Sequence, residues 1–413
     1  MDPESLAFVL VGHIDHGKST LIGRLLHDTD SLPEGRMEEI EEAARAEGRE
    51  LEFGYIVDHL REERERGITI DTAQTFFSSE TRDYVIIDAP GHKEFIRNMI
   101  TGASQAEAVV LICSVAEGVQ EQTKRHAYVV RLLGLDQVLV LYNKMDLVDY
   151  SEERFREVKQ DMDRFLGRLG VEPTLEVPVS AKCGDNVARR SERMPWYDGP
   201  TVLAALDRFR KIPPPTEKPL RFPIQDVYDA DGVRLAVGRV ESGVLESGQR
   251  LRFLPGDALL EVSEIKQYLK NDMPRAEAGE CVGVRFDGPP PARGSVGCPA
   301  GDMPVLTGRF RVSVFWLSPK SLVLNGETIT FKCATQERPC RVVSIADRLD
   351  SGTLEHLDAS EGCLEETEVG EIVFETADPV VLESFYDVQE LGRFVLVRDR
   401  QVVAGGIVTH PEG

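Results

Sequence analysis

An ammonium, two hydroxyls and several carboxylates stand where apolar runs of this chain should end, and together they describe polyphosphate chemistry. Residues 12–19, Gly-His-Ile-Asp-His-Gly-Lys-Ser, form a complete phosphate-binding loop. Backbone N–H groups of such a turn, aided by the helix N-terminus behind it, cradle phosphates. Asp15, His16, Gly17, Lys18, Ser19 and Thr20 are expected to line the nucleotide. The Lys18 ammonium would reach the β- and γ-phosphates, and the Ser19 hydroxyl would bind Mg²⁺. The rings of His13 and His16 read as loop packing, with no chemistry of their own.

A second set of groups faces the reacting phosphate. In Asp88-Ala89-Pro90-Gly91-His92, the Asp88 carboxylate would hold Mg²⁺ through a water and the Gly91 N–H would face the γ-phosphate. Thr69, within Arg66-Gly67-Ile68-Thr69-Ile70, supplies a second hydroxyl for the metal, on a segment ordered only while the γ-phosphate is present. His92 follows the γ-phosphate glycine and would orient the attacking water through a hydrogen bond. The expected catalytic set is His92, Lys18 and Thr69.

A third set reads the base. Asn143-Lys144-Met145-Asp146 places a carboxylate that can accept from N1–H and the 2-amino group of guanine. Adenine lacks that amino group and would leave the buried carboxylate poorly paired. Lys144 would lie along the base and Asn143 would tie the loops together. Ser180-Ala181-Lys182 would meet the guanine O6 with backbone N–H groups. Five motifs in this order indicate a GTP-binding domain using GTP/GDP and Mg²⁺, with hydrolysis by in-line attack of water.

The elements that must position these groups are visible as apolar runs. Leu6 to Val11, Tyr84 to Ile87, Val138 to Tyr142 and Leu175 to Val179 read as buried strands, and Thr20 to Leu26 opens a helix. Their alternation to about Lys211 predicts a mostly parallel sheet with helices on both faces. The charge-rich segment 34–66 reads as helical, its charges solvating a helix face. Ile212 to Pro219 is a stiff, Pro-rich linker. Beyond it, short apolar runs at Leu235 to Val240, Arg250 to Leu254, Cys281 to Phe286, Phe310 to Leu317 and Phe394 to Val397 predict β-barrels or sandwiches. The expected architecture is multidomain: an α/β P-loop GTPase domain (1–212) followed by two antiparallel β-barrel domains (213–304 and 305–413).

These motifs resemble the translation-factor branch of GTPases, which includes the elongation factors and the GTPase subunit of bacterial sulfate adenylyltransferase. Glu63 to Asp71 (ERERGITID) and Pro90-Gly91-His92 are similar across that branch. Asn143 to Tyr150 (NKMDLVDY) and Met194 to Pro200 (MPWYDGP) resemble the sulfate-assimilation member more closely. Asp15-His16-Gly17-Lys18 and Pro90 to Ser104 are similar instead to the elongation factors.

Charge and composition bear on partners. The formal net charge is −23; residues 213–413 hold 21 Lys and Arg against 32 Asp and Glu, and the window 351–390 holds twelve acids and no Lys or Arg. Nucleic-acid binding relies on cations against phosphates, so this window argues against tRNA. The expected function is therefore the regulatory GTPase subunit of a sulfate adenylyltransferase, in a hetero-oligomer with the catalytic subunit that forms adenylyl sulfate. The competing reading is an elongation-factor-type GTPase delivering a charged tRNA. No run approaches the roughly 18 apolar residues of a membrane span, and no secretory signal is read at the N-terminus, so a cytoplasmic protein without membrane partners is expected. The seven cysteines form no CxxC pair, so neither a disulfide framework nor a zinc ribbon is indicated.

Overall fold

A computed structural model describes residues 5–32, 35, 53, 56, 74–88, 106–132, 134–211, 215–230, 233–267, 270–324, 326 and 328–411. The chain divides into two compact units: Met1–Lys211 with Ser351–Thr353, and Ile212–Asp350 with Leu354–Gly413.

In the first unit, six strands form one sheet: β1 (Leu6–Gly12), β2 (Gln74–Ser78), β3 (Asp83–Asp88), β4 (Ala108–Ser114), β5 (Val138–Asn143) and β6 (Leu175–Pro178), in the order β2-β3-β1-β4-β5-β6. All neighbours are parallel except β2, an antiparallel edge on β3. Every residue of β4 and β5 is buried, as expected of strands covered on both faces. The helices that accompany this sheet among the described residues include α1 (Lys18–Asp28), α2 (Glu121–Leu132), α3 (Glu152–Arg168) and α4 (Val202–Leu206). α3 starts where it does because the Ser151 hydroxyl accepts the Arg154 N–H at 3.2 Å, with Glu152 and Glu153 in the first turn. The phosphate-loop helix α1 begins two residues before its apolar run. Lys18 and Ser19 are polar and so stand outside that run, yet the Gly17 carbonyl already accepts the Leu21 N–H at 2.9 Å. The helical reading of 34–66 lies almost wholly outside the described residues.

The second unit holds two closed antiparallel barrels. The first runs Arg250–Leu254, Val296–Pro299, Phe222–Ala230, Val233–Arg239, Cys281–Phe286 and Ala258–Gln267, which pairs back with Arg250–Leu254. The other runs Ile329–Cys333, Arg393–Arg398, Gln401–His410, Val305–Trp316, Glu368–Leu382 and Gln336–Asp350, which pairs back with Ile329–Cys333. Closure removes the free edges that an open antiparallel sheet would expose. Alternate residues fill each interior, led by Phe222, Phe253 and Val284 in one and by Phe310, Phe331 and Phe374 in the other. A separate apolar cluster joins the barrels: Leu254, Val296 and Cys298 meet Val381, Val388 and Leu391. Beside it, the buried Arg221 donates to the Glu383 carboxylate at 2.7 Å and to the Asp302 carbonyl at 2.9 Å.

The acid-rich window is less negative in space than in sequence. Its Glu361 and Glu368 pair with Arg348, Glu371 with Arg311, Glu375 with Arg341 and Glu383 with Arg221. Every one of those arginines lies outside the window, on a neighbouring strand or at a strand start. No helix among the described residues is long and apolar enough to cross a membrane.

Candidate functional site

Because β1, β3, β4, β5 and β6 are parallel, their carboxyl ends line one edge of the sheet, where open α/β sheets bind ligands. β1 runs between β3 and β4, and its chain leaves through His13 into a 3₁₀ turn, Ile14–His16. Gly17 then takes a φ of +92°, a left-handed conformation suited to glycine, and α1 begins at Lys18. The Lys18 ammonium lies 2.8 Å from the carbonyls of both Gly12 and His13, so it spans the mouth of the loop. Ser19 and Thr20 follow in the first turn of α1, half-buried, beside the N-terminal end of the helix dipole. Asp15 is exposed and His16 is fully buried.

Asn143 is the hub of the site. It ends β5, and its side-chain amide donates to the His16 carbonyl at 2.8 Å. Its side-chain oxygen accepts the Ala181 N–H at 2.9 Å. One buried side chain thus connects the loop after β1 with the loop after β6. Lys144 turns the chain at φ +66°, and its ammonium sits 2.9 Å from a Glu117 carboxylate oxygen. The Asp146 carboxylate accepts the Ser180 hydroxyl at 2.6 Å, and that hydroxyl accepts the Cys183 N–H at 3.2 Å. Ser180 and Ala181 are buried and Lys182 is exposed. The residue types singled out around Lys18, Asn143, Asp146 and Ser180 are therefore neighbours in space.

Asp88 ends β3, in register with Leu10 of β1, which puts it at the same sheet edge. Thr69, Gly91 and His92 lie outside the described residues. For Mg²⁺, a hydroxyl at Ser19 and a carboxylate residue at Asp88 are hard oxygen donors of the kind this ion requires, so the donor set fits.

Sequence reasoning passed over Glu117. It lies in the turn after β4, between Ser114 and Gly118, and Gly118 turns at φ +75°. The rule that parallel strands present functional groups at their carboxyl ends would have found it. The pairing with Lys144 holds its carboxyl below the ordinary range. His16 is perturbed for a different reason: burial disfavours its charged form and lowers its pKa to about 4.

The two segments that suggested a sulfate-assimilation protein pack against each other in the parts that lie away from Asn143, Lys144 and Asp146. The Trp196 indole donates to the Tyr150 carbonyl at 3.1 Å and its ring packs 5.2 Å from Phe155. Tyr197 donates to the Pro200 carbonyl at 2.9 Å. Tyr150, at the end of NKMDLVDY, and Trp196 of MPWYDGP thus brace each other.

Residues 4–227 match the family described as Elongation factor Tu GTP binding domain, and residues 309–409 match GTP-eEF1A C-terminal domain-like. Curated relatives match almost end to end. Elongation factor 1-alpha of Methanopyrus kandleri is 40% identical, covering 98% of this chain and 97% of its own length. Those of Natronomonas pharaonis and Thermococcus onnurineus are each 39% identical, covering 97% of this chain and 96% of their own. A solved structure of Sup35 complexed with GDP is 27% identical, with a TM-score of 0.46, covering 98% of this chain and 94% of that one. The full-length relatives overturn the expected sulfate adenylyltransferase function and the expected catalytic-subunit partner: at about 39% identity, they are named elongation factors. The physical ground for that expectation is also weakened, since five of the window's twelve acids pair with arginines from outside it. By its nucleotide domain and by its full-length relatives, this chain belongs to the translation-factor GTPases, in the family of elongation factor Tu and elongation factor 1-alpha.

Proposed function

We propose that this chain is a translation-elongation GTPase whose GTP-bound form carries a charged tRNA to the ribosome, in the cytoplasm. The observation that carries this reading is the full-length similarity, through both barrels, to proteins named elongation factor 1-alpha. GTP and GDP, with Mg²⁺, are the ligands of this GTPase. The domain limits that go with the reading are 1–212, 213–304 and 305–413.

At the site, Lys18 neutralises charge on the β- and γ-phosphates while the N–H groups of Asp15 to Thr20 hold the phosphate chain. Ser19, Thr69 and, through a water, Asp88 hold Mg²⁺, which when bound screens the phosphate charge. Gly91 donates to the γ-phosphate and His92 orients the attacking water. Asp146 selects guanine, Lys144 lies along it, and backbone N–H groups of Ser180, Ala181 and Lys182 meet its O6, with Asn143 bracing the two loops. Release of the Thr69 segment after hydrolysis would change what the barrels present.

The test is protection of the ester bond of a charged tRNA against hydrolysis. Protection is expected with the GTP-bound full chain and much less with the GDP-bound chain. Equal protection in both states, or none in either, would reject the tRNA reading while leaving the GTPase intact.

A further inference from the structure

The 3₁₀ turn after β1 sets residues three apart nearly one above the other, and the residues so placed are His13 and His16, with ring centroids 5.1 Å apart. The His16 Nδ1 lies 3.3 Å from the Ile112 carbonyl. A carbonyl only accepts, so Nδ1 carries the proton and Nε2 keeps its lone pair. That Nε2 is buried without a hydrogen-bond partner among the described residues, and so is the Nδ1 of His13. A third group comes from the turn after β4: a Glu117 oxygen lies 3.8 Å from His16 Nε2, while its other oxygen accepts from Lys144. One donor atom from each of the three residues lies within 4.8 Å of the others. The lowered pKa of His16 leaves its ring neutral near pH 7, and Glu117 is ionised, so both are in the ligating form.

We propose that His13, His16 and Glu117 form a transition-metal site that takes Zn²⁺ in preference to Mg²⁺. Two imidazole nitrogens and a carboxylate oxygen are the protein ligands of zinc centres that keep a fourth position for water. Mg²⁺ seeks hard oxygens and dehydrates reluctantly, so a set dominated by nitrogen discriminates against it. Zinc bonds of about 2.0–2.1 Å place tetrahedral ligand atoms roughly 3.4 Å apart, so the 3.8 Å pair closes slightly and the set, within 4.8 Å, contracts by at most about 1.4 Å, within reach of side-chain rotation. An outer shell exists for two of the ligands: the Ile112 carbonyl fixes the His16 tautomer and Lys144 holds Glu117. The ion would fasten the phosphate loop to the turn after β4, at a place distinct from the Ser19 hydroxyl.

The test uses the full chain loaded with GDP, freed of excess nucleotide and kept in millimolar Mg²⁺. Titration with Zn²⁺ should find one equivalent whose affinity falls at least about tenfold in both His13→Ala and Glu117→Gln. The Co²⁺-substituted chain should show intense tetrahedral absorption without a sulfur-to-cobalt charge-transfer band. Equal Zn²⁺ affinity in the wild type and both variants would overturn the site. So would a sulfur charge-transfer band, which would assign the metal to a thiol such as the exposed Cys183 or Cys281. Should His13→Ala fail to fold, Glu117→Gln carries the test alone, since that side chain is 39% exposed and the amide keeps its volume.

Discussion

A Cβ added to Gly17 would stand 2.4 Å from the side-chain nitrogen of Asn143, so the phosphate loop closes only because residue 17 has no side chain. The Asn143 amide cannot retreat without giving up its bond to His16. The left-handed φ adds a strain of about 1–2 kcal/mol for any other residue. Gly17→Ala should therefore weaken GDP binding by about tenfold or more. Titration with a fluorescent GDP analogue measures this; unchanged affinity would mean the loop is held by something other than this contact.

Asp146→Asn should lower GTP affinity by about 1–3 kcal/mol and improve binding of xanthine nucleotide. The replacement keeps an acceptor for the Ser180 hydroxyl, now 2.6 Å away, but turns half of the base-facing group into a donor. Competition between GTP and xanthosine triphosphate measures the exchange. A variant that still ignores xanthine nucleotide would remove Asp146 from base recognition.

His92→Ala should leave GTP affinity intact and slow single-turnover hydrolysis by roughly a hundredfold, the lower end for loss of a group acting on the attacking water. Rapid-quench measurement of the hydrolysis step decides it, and an unchanged rate would rule out that role for His92.

Stability should fall as the solution is acidified from about pH 6.5 to about pH 4. His16 ordinarily titrates at 6.5, and burial moves it down to about 4 in the folded chain. Above pH 6.5 both folded and unfolded forms hold a neutral ring, and the full stability is present. Between the two values the unfolded chain gains a proton that the folded chain refuses, which costs up to about 3 kcal/mol. Denaturant unfolding across this range should show a shallower pH dependence in His16→Asn than in the wild type. Parallel curves would place the acid sensitivity elsewhere.

Arg221→Met should destabilise the paired barrels by about 3–5 kcal/mol, because it leaves the Glu383 carboxylate poorly solvated and without its guanidinium. The double variant Arg221→Met, Glu383→Leu should recover much of that loss, since two apolar groups leave no orphaned charge. Urea unfolding of the wild type, Arg221→Met, Glu383→Leu and the double variant measures the cycle; additive losses would show that the two residues act separately.

The candidate site around Lys18, Asn143 and Ser180 was legible as a set of neighbours because its residues lie in short, contiguous motifs. Lys18, Asp146 and Ser180 each sit within a few residues of the turn that presents them, and parallel-strand topology brings those turns together. The barrels were legible as texture, since closed strands alternate inward and outward residues. What was not legible depended on pairing across long sequence distances. Arg221 and Glu383 are 162 residues apart, and nothing local to either marks the other. The acidic window misled for the same reason: Arg311, Arg341 and Arg348 reach it from adjacent strands, outside the window's own count. Glu117 was missed because a single acid in a turn has no motif, only a place at the sheet edge.

The two hydrogen bonds of Asn143 have a thermodynamic corollary. On the proposed reading, a side chain shared between the loop that would hold phosphates and the loop that would hold the base makes each half part of the other's boundary. A ligand fragment that settles one half removes freedom from the other before the second fragment arrives. Guanosine and pyrophosphate, offered as separate molecules, should then each bind more tightly in the presence of its counterpart, with the covalent link between them supplying only part of the affinity of the whole nucleotide.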